Sequence, residues 1–384
     1  MDRDRLISRR ELLRRGGLLT GTGLALPAIL AACAPDAPAP EPAAEGPPSP
    51  ADIEGASIKV ATYGGFFEEN FKTFYPAFSD ASGVTVESVA EPTSEAWVIQ
   101  LQNSVDAGTP PPADVSMLSG VGVQRAINGN ILATYDLSSI PNNEFLADGY
   151  VRTAEDGAVA GVGAVSWYIT LVSNTERVKE SPDTWTAFWD PEWRDELALL
   201  KNAANSYLIE IAATSYFDGY DILETQEGVI EVLTKLQEVK PNVKLWYRDE
   251  ATAQNAYNTG EVSFGQFYHD ITTYAASQGE PLRSVFPTEG AILDSGFWSI
   301  SKNASNVAAC QAFIDHMCQP QIQAELARTL GTTPTVSQEH MDLTADEYEA
   351  VGGPGPGAAL RPKYEMYDIW EDWIDQQWTE MILS

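Results

Sequence analysis

Basic side chains are scarce. The chain holds 23 Lys and Arg against 55 Asp and Glu, a formal net charge of −32. A surface so poor in cations offers no face for a phosphate backbone, which argues against a nucleic-acid partner. Histidine and cysteine are also rare, three of each. His269, His316 and His340 form no H-E-x-x-H pair, and Cys33, Cys310 and Cys318 form no C-x-x-C. Zinc-peptidase and thiol-redox motifs are therefore absent, and no metal site is expected. No G-x-S-x-G elbow and no G-x-x-x-x-G-K-[ST] loop occur. Gly120-Val121-Gly122 and Gly161-Val162-Gly163 lack the third glycine of a dinucleotide loop, so no cofactor is expected. His269-Asp270 is an isolated acid–base pair at a strand end. A glycosidase needs only two carboxylates, so the acids leave a carboxylate-dependent hydrolase open.

What the chain does have is a packed body behind an export leader. Apolar residues make up 44% of it, with ten Trp, enough for a sizeable core. Residues 1–33 carry six Arg and three acids, and removing them leaves −35 on the rest. The apolar stretch Gly16–Leu30 that follows the arginines is too short and too glycine-rich to span a membrane, and reads as the h-region of an export signal. Ser8-Arg9-Arg10-Glu11-Leu12-Leu13 resembles a twin-arginine signal, and Leu30-Ala31-Ala32-Cys33 resembles a lipobox, whose Cys33 becomes the lipidated N-terminus. Seven prolines between Ala34 and Pro50 predict an extended tether over residues 34–56. A lipid-anchored protein at the outer face of the cytoplasmic membrane, or in a periplasm, is expected. Cys310 and Cys318 lie eight apart on one predicted helix, about 12 Å at ~1.5 Å per residue, beyond disulfide reach.

Beyond the tether, strands and helices alternate. Strands are predicted at 57–62, 84–89, 113–118, 169–173, 197–200, 262–267 and 284–286. Helices are predicted from Phe67 to Ser82 and at 95–105, 205–217, 226–238, 251–257, 270–278 and 305–318. This order predicts a mostly parallel α/β sheet with ligands at the carboxyl ends of its strands. About 330 ordered residues exceed one comfortable core, so two lobes are expected. A terminal helix presents Met366, Ile369, Trp370, Trp373, Ile374, Trp378 and Met381 on one face, predicting docking by that stripe. Trp97, Trp185, Trp189 and Trp193 are expected in core or hinge packing.

From Ile58 to Val336 the chain resembles the spermidine/putrescine-binding class of bacterial extracellular solute-binding proteins. The resemblance rests on short segments in matching order: Tyr63-Gly64-Gly65, Ser82-Gly83-Val84-Thr85-Val86, Gly129-Asn130-Ile131-Leu132, Thr184-Trp185, Phe188-Trp189-Asp190-Pro191, Phe286-Pro287-Thr288-Glu289-Gly290 and Trp298-Ser299-Ile300. It implies a two-lobed periplasmic-binding-protein-like fold of type II, with hinge crossings at 161–173 and 294–300. Lobe 1 would hold residues 57–164 and 295–345, and lobe 2 residues 165–294 and 346–384. It further implies a monomer with no chemistry of its own, which hands a small solute to the permease of an ABC importer. The implied ligand-binding residues are Tyr63, Gly64, Ser119, Trp167, Tyr207, Trp246, Tyr268 and Asp294. The acids that clamp amines in that class fall here on Ala204, Tyr207 and Gly296, and near Gly64; Asp294 is the one nearby replacement. Three solutes or activities stay open: a polyamine, a neutral, zwitterionic or anionic solute held by aromatics and helix ends, and a secreted hydrolase.

Overall fold

The computed structural model describes residues 47–64, 66–92, 94–353 and 359–384. The export signal, Cys33 and most of the proline tether lie outside the described residues. Ten strands build one sheet in the order β2-β1-β3-β10-β5-β8-β6-β7, with β4 and β9 added alongside β5. They are β1 (Ser57–Tyr63), β2 (Thr85–Glu91), β3 (Val115–Ser119), β4 (Val151–Thr153), β5 (Val159–Asn174), β6 (Leu197–Leu200), β7 (Val243–Tyr247), β8 (Phe264–Tyr268), β9 (Leu282–Val285) and β10 (Ile292–Ile300). Two parallel triplets, β2-β1-β3 and β8-β6-β7, flank the antiparallel pair β10 and β5. The sheet is thus mixed rather than mostly parallel, because the two long strands run against both triplets. These are the crossings of the two-lobed periplasmic-binding-protein-like fold.

β5 explains why only its tail was predicted as a strand. All sixteen residues are buried, so no alternation of apolar and polar side chains marks it. Its glycines serve close packing: a Cβ on Gly163 would stand 2.8 Å from the side chain of Tyr150. The helix predicted from Phe67 onward breaks into Phe66–Phe71 and Tyr75–Ser82. Pro76 lies in the first turn of the second piece, where its missing N–H does no harm, and Gly83 closes that piece in the left-handed region. Phe71 and Phe313 each set a ring edge-on to Trp298 at 5.7 and 5.5 Å. Cys310 and Cys318 are free thiols in the same core. Trp97 and Trp185 are buried, their indole N–H groups donating to Ser116 Oγ and the Gly290 carbonyl. Trp189 donates to the Lys235 carbonyl, and Trp193 packs on Phe264.

The terminal helix, Tyr364–Met381, is kinked at Trp370, which leaves helical geometry (φ −132°, ψ 18°). The kink turns the predicted stripe: Ile369 is 70% exposed, while Tyr364, Met366, Tyr367, Ile374 and Trp378 are buried. Trp378 donates to the Lys201 carbonyl and Tyr367 reaches Glu210, beside β6. Arg125 on helix Gly120–Asn128, beyond β3, holds Glu371 with two hydrogen bonds. One helix therefore straps together elements that follow the two triplets.

Candidate functional site: an aromatic cavity ringed by carboxylates

Strand ends define the site. In a parallel strand the chain leaves the carboxyl end through a turn into a helix, so side chains there face a shared crevice. Tyr63 ends β1 and pairs in register with Glu91, which ends β2. Ser119 ends β3 and caps helix Gly120–Asn128 by accepting from the Gly122 amide at 3.2 Å. After β6, Asn202 caps the turn Ala203–Ser206, and Tyr207 then adopts the left-handed region (φ 55°) before helix Leu208–Tyr216. The helix predicted over 205–217 is broken there. A bulky residue in that conformation costs about 1–3 kcal/mol and persists where its surroundings demand it. After β7, Asp249 caps helix Glu250–Asn258 and sets Glu250 in its first turn. Tyr268 ends β8, and Asp270 begins the next helix, His269–Ser277. The crossings add Trp167 and Asp294, which are register partners on β5 and β10.

These residues enclose a cavity of about 150 Å³. Its wall includes Tyr63, Ser119, Trp167, Tyr207, Tyr268 and Asp294, together with Phe67, Asn205, Glu250, Asp270 and Ile271. Six of the eight residues expected from sequence are thus brought together. Gly64 sits in an exposed turn beside Tyr63 and is not part of the wall. Trp246 does not reach the cavity: it lies on β7, the last strand of the sheet, with its ring edge-on to Trp378 at 6.2 Å. Gly296 leaves no room for an acid, because a Cβ there would meet Met117 at 3.0 Å and the Tyr63 hydroxyl at 3.4 Å.

Sequence reasoning missed three acids. Glu250 and Asp270 line the cavity. Glu250 is exposed as a residue, yet its carboxyl is desolvated, and burial followed by the neighbouring Asp249 raises its pKa. Burial pushes Asp270 up to about 7 against its own backbone hydrogen bonds, and its Oδ1 has no hydrogen-bond partner among the described residues. Glu91, 5% exposed, makes no hydrogen bond through either oxygen, and burial, offset in part by the Met117 backbone, lifts it to about 8. Asp294 differs in being saturated. Tyr207 donates to its Oδ2, Tyr364 to its Oδ1, and the Ser295 amide to its Oδ1 at 2.7 Å. Burial raises its pKa despite those bonds and the nearby Arg152.

The rings complete the picture. Tyr63 stands edge-on to Phe67 and to Trp167 at 5.7 and 5.9 Å. The Tyr63 hydroxyl and the Trp167 indole N–H are buried without partners. Burial, then the charges of Glu91, Asp294 and Glu250, raise the Tyr63 pKa. Faces of aromatic rings and desolvated carboxylates both attract a cation, and an unpaired buried polar atom marks a place where a partner is missing. The described residues contain no group of His, Cys, Asp and Glu arranged to hold a metal ion.

A two-lobed α/β body with a small cavity at its crossing strands defines a solute-binding fold. Residues 73–349 match the profile of the family described as bacterial extracellular solute-binding protein, and the chain belongs to that family. It is 30% identical over 181 residues to the gamma-aminobutyric acid-binding protein of Pseudomonas aeruginosa, a match covering 45% of this chain and 49% of that one. It is 28% identical over 174 residues to the spermidine/putrescine-binding periplasmic protein of Salmonella typhimurium, covering 44% and 49%. The chain spans about half the length of these relatives. The crystal structure of an ABC transporter substrate-binding protein from Bradyrhizobium japonicum shares the fold, with a TM-score of 0.75 at 19% identity over 85% of this chain and 99% of that one.

Proposed function

We propose that the chain is the solute receptor of an ABC importer and that its solute carries an ammonium group on a short chain. The observation that supports this most is the set of buried carboxylates around an aromatic cavity, with Asp270 left unpaired. A desolvated cation needs an opposite charge, and Glu250, Asp270 and Asp294 supply it from the wall while Glu91 stands behind Tyr63. An anionic solute would face those same charges. The relatives that bear the names of γ-aminobutyrate and spermidine/putrescine binding agree with an amine. Size narrows the choice: a 150 Å³ cavity elsewhere accommodates a benzene ring, so this one suits about six or seven non-hydrogen atoms, as in putrescine or γ-aminobutyrate.

Binding alone is the role, with closure of the lobes on the solute and delivery to a membrane permease. The export leader and the lipobox support a monomer held outside the cytoplasmic membrane through lipid on Cys33. Titration calorimetry with putrescine, γ-aminobutyrate, spermidine and succinate tests the ligand class. Heat from at least one short amine and none from succinate is expected. An amine should also bind more tightly as pH rises from about 6 to 8, because Asp270, lifted by burial to about 7, must give up its proton to pair with it. No heat from any amine at millimolar concentration overturns the proposal.

A further inference from the structure

A larger cavity lies on the other side of Asp270. It measures about 680 Å³, between helix His269–Ser277 on one side and residues 327–331 with helix Ala345–Gly352 on the other. Asp270 is the single residue common to both linings, so its side chain is the partition between the two spaces. The partition is thin. Gly331 caps helix Pro320–Leu330 in the left-handed region, and a Cβ placed there would touch the Asp270 Cβ at 3.7 Å.

The outer wall repeats the chemistry of the inner one. Asp270, Glu347 and Glu349 face it against one cation, Arg328, and Arg328 is already held by Glu347 at 2.9 Å and Asp342 at 3.2 Å. His269 adds no positive charge: burial lowers its pKa, and its ring nitrogens engage Ser284 Oγ and the Ala350 carbonyl. Between the acids, Leu330, Leu343 and Val351 offer apolar surface to a methylene chain. The unpaired Oδ1 of Asp270, on a residue 7% exposed, is the polar group left for a ligand at the junction.

We infer that the outer cavity is a second subsite, which takes the distal end of a long amine whose first ammonium sits in the inner cavity. The inference rests on the amine reading above. The inner space is full at about six or seven heavy atoms, so a longer α,ω-diamine must pass Asp270, which meets its chain midway, and end among Glu347 and Glu349.

The test uses the full chain and a set of α,ω-diamines from putrescine to 1,8-diaminooctane. Thr273 lines the outer cavity only, and is exposed. Thr273→Trp fills that space without touching an inner-wall residue. The variant should lose at least tenfold in affinity for the eight-carbon diamine and less than twofold for putrescine. Glu349→Gln, which removes one outer charge, should weaken the eight-carbon diamine more than octylamine. Losses independent of ligand length, or no loss in either variant, overturn the subsite while leaving the inner amine site standing. Failure of every amine to bind the unaltered chain overturns both readings.

Discussion

Glu91 ends β2 with both carboxylate oxygens unpartnered behind Tyr63, and that has a consequence for stability. Its pKa rises from 4.5 to about 8 on folding through burial. Below about pH 4.5 the group is protonated in both the folded and the unfolded chain and contributes nothing. Between about 4.5 and 8 the unfolded chain releases the proton while the folded chain keeps it, so stability falls as pH rises. Glu91→Gln should match the parent near pH 4.5 and exceed it at pH 8, read from urea midpoints across that range. Parallel curves would show that Glu91 is not desolvated. The same physics explains what was legible at this scale. Tyr63, Ser119, Trp167, Tyr207, Tyr268 and Asp294 could be placed because they sit at or near strand ends in an order that resembles a known family. Glu91, Glu250 and Asp270 could not, since each is one of 55 acids and only tertiary folding decides which of them lose water. Tyr207 gave no sign of its left-handed backbone, a conformation that Gly and Asn adopt at far lower cost.

Among the elements, the terminal helix shapes the site as much as any strand. Its Tyr364 ring lies against Gly120, where any side chain would collide with it, and its hydroxyl saturates Asp294. The guanidinium of Arg152 sits 4.9 Å from the centre of the same ring. Glu371, one residue past the kink, takes the forked hydrogen bonds of Arg125, with both side chains about a quarter exposed. Such a pair lies between the exposed and the buried limits, so Arg125→Ala should lower the unfolding free energy by roughly 1–2 kcal/mol. It should also weaken amine binding several-fold, because Tyr364 loses its anchor on the β3 side. Denaturation and calorimetry on the one variant check both, and unchanged values in both would mean that the strap is idle. Sequence periodicity found this helix and missed the turn of its face, because nothing in the order of its residues marks a break at Trp370. The long β5 was likewise visible only in part, since a strand buried on both faces carries no period-two signal.

At the scale of the molecule, the charge of −32 belongs mostly to the surface, and a few buried acids carry the site. Mass and sign of charge were legible from composition; which acids turn inward was not. The connections of the fold bear on time as well as on space. Arg125 and Glu371 are 246 residues apart, and Asn128 and Asp368 are 240 apart. Closing such loops costs entropy that grows only slowly with length, but contacts so distant in sequence form late. In refolding from urea, far-ultraviolet dichroism should recover first, and the near-ultraviolet signal of the Trp246–Trp378 pair and amine binding should lag behind it. Simultaneous recovery of all three would contradict this order. A chain caught midway would then be compact and rich in sheet, yet blind to its solute. Competence to bind is the last thing such a receptor acquires, and an amine present during folding has nothing to hold until the strap has closed.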